Sequence, residues 1–269
     1  MHFSQYSLRI RSGKIVGLLA LAIACCLASA QSTQNVERLR VRARNGYVED
    51  QLKLAYAFQA GTGVARDPVE SVHWFREAAN LGNPEAQTDL GYAYSRGDGL
   101  PVDFHEAFKW FQRAALSDYP PAENDVGLLL MDGRGTPRDV SAGVNWMERA
   151  AHHGLAAAEL HLGLFHLKGV GVPADLREGA AWIRKAAKHK YPAAELVLGV
   201  LHEAGCGVAA DLSQAAHWYR KAADHGSVSA QNSLASLYEK GAGVEKNITE
   251  AISRYAIAAD QGEPMAWQN

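Results

Sequence analysis

An all-α fold, a solenoid of six 36-residue helical hairpins, is what this sequence predicts, and three in-phase series carry the prediction. Glycine pairs recur as Gly61 and Gly63, Gly97 and Gly99, Gly133 and Gly135, Gly169 and Gly171, Gly205 and Gly207, Gly241 and Gly243. Tryptophan returns at Trp74, Trp110, Trp146, Trp182 and Trp218, with Arg254 in the sixth slot. Alanine pairs follow at Ala78-Ala79, Ala114-Ala115, Ala150-Ala151, Ala186-Ala187, Ala222-Ala223 and Ala258-Ala259. Six units in phase, without an insertion or deletion, define a repeat array whose core is a ribbon shared by neighbours.

Each unit reads as two helices. In the second unit Ala86, Leu90, Gly91 and Tyr94 share one face of the first helix, and Gly97 ends it in the left-handed conformation that glycine adopts without steric cost. The second helix opens at Asp103 and carries Ala107, Trp110, Phe111, Ala114 and Ala115 on one face. Asp67 with Glu70, Asp103 with Glu106, Asp175 with Glu178, Asp211 with Gln214 and Asn247 with Glu250 have the spacing of an N-cap and its reciprocating partner. Asp139 has Ala142 at the partner position. These acids therefore have a structural reading, worth about 1 kcal/mol per cap.

At the amino end, Arg9, Arg11 and Lys14 precede an apolar run from Ile15 to Leu27 and the small-residue stretch Ala28-Ser29-Ala30. This is the pattern of an export signal in residues 1–30, cleaved near Ala30. The run is 13 residues, against about 20 for a membrane span, so the mature chain is expected to have none. An alternative is lipidation of Cys25 within Ala22-Ile23-Ala24-Cys25. Without the leader, Cys206 is the single remaining cysteine and stability must come from packing. Residues 31–46 align with the end of a second helix, with Arg38 in the tryptophan slot and Arg42 in an alanine slot, as expected of a polar cap. The repeats then fill residues 47–262. A seventh unit begins and stops in residues 263–269, where Trp267 takes a slot otherwise held by Gln or Glu.

The chain carries 27 Lys and Arg against 29 Asp and Glu, and three of those bases lie in the leader. The remainder, 24 against 29, is acidic by 5, which argues against nucleic-acid or anionic-membrane partners. Ser-x-x-Lys, Gly-x-Ser-x-Gly, His-Glu-x-x-His and Cys-x-x-Cys are all absent. No catalytic or cofactor-binding residue is therefore assigned. His161, His166 and His202 are spaced so that their rings could converge on zinc. The slot of His166 and His202 elsewhere holds Phe58, Tyr94, Leu130 and Tyr238, which favours packing over a metal. No metal or cofactor is expected.

At about 100° per residue, the side of the first helices opposite Ala86, Leu90 and Tyr94 carries Tyr56, Tyr92, Leu128, Leu164 and Val200 in one slot. Leu160, Met131 and Leu167 lie in adjoining slots. These eight residues are the candidate partner-binding surface, with Gln87, Glu123 and Glu159 offering polar contacts at its edge. The alternative is that adjacent first helices pack on one another and hide the stripe.

The pattern Ala-x3-Leu-Gly-x2-Tyr, then Gly-x-Gly-Val-x2-Asp, then Ala-x2-Trp-x3-Ala-Ala resembles the Sel-one-like repeat (SLR), a relative of the tetratricopeptide repeat, over residues 48–262. The resemblance implies a right-handed α/α superhelix and a non-catalytic adaptor for a protein or peptide partner in the bacterial envelope, periplasmic or secreted. Cysteine-rich members of the family imply a second function, a penicillin-binding or β-lactamase-like hydrolase, although this chain lacks their disulfide in each repeat. A third is a lipoprotein assembly factor of a secretion machine, anchored at Cys25.

Overall fold

The structure, a computed structural model, describes residues 34–262. The leader, with Cys25 and Cys26, and the terminal stretch with Trp267 lie outside the described residues. Among those residues every regular element is an α-helix. Residues 34–44 form α1. Twelve further helices make six hairpins: α2 (Val48–Ala60) with α3 (Pro68–Asn80), α4 (Pro84–Arg96) with α5 (Phe104–Ala115), and α6 (Pro120–Asp132) with α7 (Val140–His152). The other three are α8 (Ala156–Lys168) with α9 (Leu176–Lys188), α10 (Pro192–Ala204) with α11 (Leu212–Asp224), and α12 (Val228–Lys240) with α13 (Ile248–Asp260). The chain divides into two compact units, Met1–Ala114 and Ala115–Asn269.

The stop glycines and the cap side chains act as the sequence predicts, but the reciprocating partners are corrected: the backbone N–H of Asp67, Asp103, Asp175, Asp211 and Asn247 donates to a carbonyl of the preceding first helix instead. Gly61, Gly97, Gly133, Gly169, Gly205 and Gly241 end the first helices with φ between 69° and 79°. Asp67, Asp139, Asp175, Asp211 and Asn247 each accept backbone N–H bonds at the first turn of a second helix, and Asp103 accepts them from His105 and Glu106. The glutamates three residues on reach forward. Glu70 accepts from Trp74 Nε1 at 3.1 Å, Glu106 takes Lys109 at 2.7 Å, and Glu250 accepts from Arg254 Nε at 2.7 Å. Arg254 in the tryptophan slot thus answers the same glutamate position that Trp74 does.

Close approach within hairpins depends on glycine. A Cβ on Gly163 would fall 2.8 Å from the Gly179 carbonyl oxygen and 2.6 Å from Ile183. In unit two the core is a chain of such contacts, with Ile183, Leu198 and Leu162 fully enclosed among the alanine pairs. In unit one Leu54, Phe75 and Leu90 hold the equivalent interior. There α1 already serves as a second helix. Val36 and Ala43 are buried, and Arg42 reaches Asp50 at 2.6 Å.

Candidate functional site

The first-helix stripe is best described unit by unit. In unit two, Leu160 is buried at 7% exposure while Leu128, Met131, Leu164 and Leu167 are half-buried. Leu164 and Leu167 pack partly on the cluster formed by Leu160, Ile183 and Leu198. Val200 is 46% exposed. An amphipathic helix turns one stripe inward and leaves its flanks partly wet, so these side chains are neither fully core nor free surface. Among them His161 bridges helices, its Nδ1 lying 3.1 Å from Asn124 Oδ1, and burial lowers its pKa. His166 and His202 are half-buried.

In unit one the same slot carries Tyr56 and Tyr92, each with its ring edge-on to a phenylalanine, Phe75 at 5.2 Å and Phe111 at 5.1 Å. Tyr56 is 36% exposed. Its hydroxyl lies 2.5 Å from Asp89 Oδ2 and 2.8 Å from Glu85 Oε1. One phenolic proton cannot serve two carboxylates at once. Burial is the main reason the Asp89 carboxyl is pushed up to about 6; Glu85 adds to the rise, whereas the Tyr56 bond and Arg96 oppose it. Beside this group a small cavity of about 90 Å³ is lined by Gln59, Arg66, Asp89, Tyr92, Arg96 and Asp98 together with apolar side chains.

One expectation is corrected. Gln87, Glu123 and Glu159, assigned by the sequence to the edge of a groove, are buried, the two glutamates completely. They belong to a slot, a rung of the array, that recurs once per repeat and ties a first helix to the end of a neighbouring second helix, the preceding one for Gln51 and Gln87 and the following one for the acids. Gln51 and Gln87 donate Nε2 to the carbonyls of Ala43 and Ala79 at 3.0 and 3.1 Å. Glu123 instead meets His153 Nδ1 at 2.9 Å and Arg149 at 3.0 Å. Glu159 meets Lys185 at 3.3 Å and His189 at 3.4 Å, and Glu195 meets His225 at 2.7 Å. Gln231 returns to the neutral type and accepts from Arg254 at 2.9 Å. A buried carboxylate costs several kcal/mol unless paired, so the amide-to-acid change requires the cations that accompany it.

The basic partners are themselves held. Arg149 lies 4.4 Å over Trp146, Lys185 4.5 Å over Trp182 and Lys221 4.5 Å over Trp218, distances of cation–π contact. The sequence already contained this signal: Glu123, Arg149 and His153 repeat at +36 as Glu159, Lys185 and His189, and again as Glu195, Lys221 and His225. Reading the slots singly, rather than as a co-occurring set, concealed it.

Asp118, Glu123 and His153 bring three ligand-type atoms within 4.8 Å of one another, and the structure gathers these residues rather than His161, His166 and His202. The guanidinium of Arg149 stands between the two carboxylates, 2.8 Å from Asp118 and 3.0 Å from Glu123. A fixed cation in that position does the electrostatic task a metal would do, and leaves an ion pair rather than an open coordination site. Cys206 is free and exposed. No helix among the described residues is long and apolar enough to cross a membrane.

A profile of the Sel1 repeat matches residues 48–83, 84–119, 120–155, 156–191, 192–227 and 228–263. No curated protein sequence matches significantly. Among solved structures the chain is similar to a protective antigen present in uropathogenic Escherichia coli strains and displaying an SLR fold. Identity is 32% and the TM-score 0.77, covering 86% of this chain and 50% of that one. The chain therefore spans half the length of that antigen. A Sel1 repeat protein from Oxalobacter formigenes is 29% identical with a TM-score of 0.72, over 79% of this chain and 85% of that one. An immunity protein from Pseudomonas aeruginosa shares the fold at 20% identity and a TM-score of 0.54, over 79% and 81% of the two chains.

Proposed function

From a chain that belongs to the Sel1 repeat family, an all-α solenoid family of protein-interaction scaffolds, we propose an exported, non-catalytic scaffold that receives a polypeptide partner in the cell envelope on its first-helix faces. The observation that carries the reading is the state of the stripe in unit two. Leu128, Met131, Leu164 and Leu167 are half-buried and Val200 is open, so apolar area remains for a partner to cover. The carboxylates of Asp139, Glu123, Glu159 and Glu195 have structural partners, as a cap or in the slot that joins helix ends. Export rests on the leader sequence and predicts a mature chain beginning at Gln31.

Photo-crosslinking groups at Leu164 and Val200 test the reading in cells, against one at Arg184, an exposed position of a second helix. Adducts from the first-helix positions support the scaffold face. Adducts from Arg184 alone overturn it. Amino-terminal sequencing of the purified mature protein tests export, and a lipidated Cys25 there moves the reading to an anchored assembly factor.

A further inference from the structure

Unit two holds another feature, away from the stripe, at the ends of the second helices. A cavity of about 420 Å³ lies among Lys188, Lys190, Glu195, Trp218, Lys221 and His225, with Ala187 and Asp224 completing its wall. That volume is in the range of ligand sites rather than packing defects. We infer that this pocket binds a carboxylate of an acidic peptide segment, an Asp or Glu side chain held by the three lysines.

Three observations carry this. The first is a break in the rung. In the two preceding repeats the basic residue over the tryptophan is paired with the buried acid, Arg149 with Glu123 and Lys185 with Glu159. In the fifth, Glu195 is engaged by His225 at 2.7 Å, and Lys221 stays over Trp218 without a carboxylate within ion-pair distance. The second is that, among the described residues, Lys188 and Lys190 also make no ion pair, although Asp224 lines the same cavity. The third is Lys190 itself. Its φ is 58°, in a slot where the other repeats place Gly46, Gly82, Gly154, Gly226 and Gly262. A side chain in that conformation is strained. The other exception, Asp118 with φ 54°, has its compensation in Arg149 at 2.8 Å. Among the described residues Lys190 has no such partner, and it lines the cavity.

The chemistry favours a single carboxylate over a polyphosphate. Lys188 and Lys221 sit in the last turns of α9 and α11, where part of their charge answers the helix C-termini. Multivalent phosphate is better served by guanidinium forks, and no arginine lines this pocket. The choice of a peptide rests on the scaffold reading. Crosslinks from Leu164 and Val200 test that reading on a different face, so failure of one is distinguishable from failure of the other.

The test uses the full mature chain and a fluorescein-labelled hexaglutamate peptide with an amidated terminus, followed by anisotropy at low salt. Hexaglutamine and inorganic phosphate serve as competitors. Variants are Lys190→Gly, Lys221→Gln and the double, with the exposed Lys240→Gln as control. The expected result is salt-sensitive binding that weakens at least tenfold in the double variant and is unchanged in the control. Lys190→Gly restores the residue used by the other repeats and is expected to raise the melting temperature, so lost binding cannot be blamed on lost folding. Equal binding by the double variant, equal affinity for hexaglutamine, or displacement by phosphate at concentrations matching the peptide would overturn the inference.

Discussion

Unit one and unit two use the same first-helix slot for opposite chemistry, toward the preceding second helix in unit one and toward the following one in unit two. In unit one Gln51 and Gln87 close it with a neutral amide on a backbone carbonyl. In unit two Glu123, Glu159 and Glu195 close it with a buried carboxylate that draws in His153, His189 and His225. The second helices α3 and α9 keep the same length and an aspartate cap in both units. The lesson is that a slot in a repeat array specifies a geometric task, here joining two helix ends, and that the residue chosen fixes the partners its neighbours must supply. Where the rung is Gln51, the slots that hold Arg149 and His153 in the third repeat hold Glu77 and Leu81.

The largest effect should come from stranding a buried acid. Arg149→Met leaves Asp118 and Glu123 with His153 alone, and is expected to destabilise the protein by about 3 kcal/mol in urea unfolding. A change under 1 kcal/mol would mean that the charged rung is no more demanding than the neutral one. The second comparison is at the helix crossings. Gly163 faces the Gly179 backbone, whereas Gly91 in unit one faces the ring of Phe111. Backbone yields less than a side chain, so Gly163→Ala is expected to cost about 2–3 kcal/mol and Gly91→Ala less.

A smaller effect belongs to unit one and depends on pH. The Asp89 carboxyl is raised from 3.8 to about 6, so between those values the folded chain binds more protons than the unfolded one. Stability therefore falls as pH rises through that window. Asp89→Asn should flatten the profile of melting temperature against pH between 4 and 6. The smallest change should follow Glu159→Gln. Its cation contacts, at 3.3 and 3.4 Å, are the longest of the three acidic rungs, and an amide there reproduces the solution of unit one, for less than about 1 kcal/mol.

Most of the fold was legible because its signals are local. Gly97 and Asp103 mark a helix end and a helix start by their own backbone and side-chain chemistry, and the +36 register repeats them. The site was legible only in part. Angular placement put Leu160 and Val200 on one stripe, yet one is buried and the other open, because exposure depends on how far neighbouring helices overlap, which a helical wheel does not contain. Glu123 and Glu159 were misread as edge residues for a related reason. A charged side chain reads as exposed until its partners, more than 25 residues away on the next helix, are considered with it. Lys190 in a glycine slot was visible in the letters, and the three-lysine cavity around it was not.

The account holds that the buried acids of unit two serve the array and not a reaction or a ligand. The direct measurement replaces Glu123, Glu159 and Glu195 together by glutamine and follows helical circular dichroism alongside the crosslinking yield from Leu164. The account predicts an intact helical spectrum and an unchanged yield. A chain that stays folded but no longer captures its partner would contradict it.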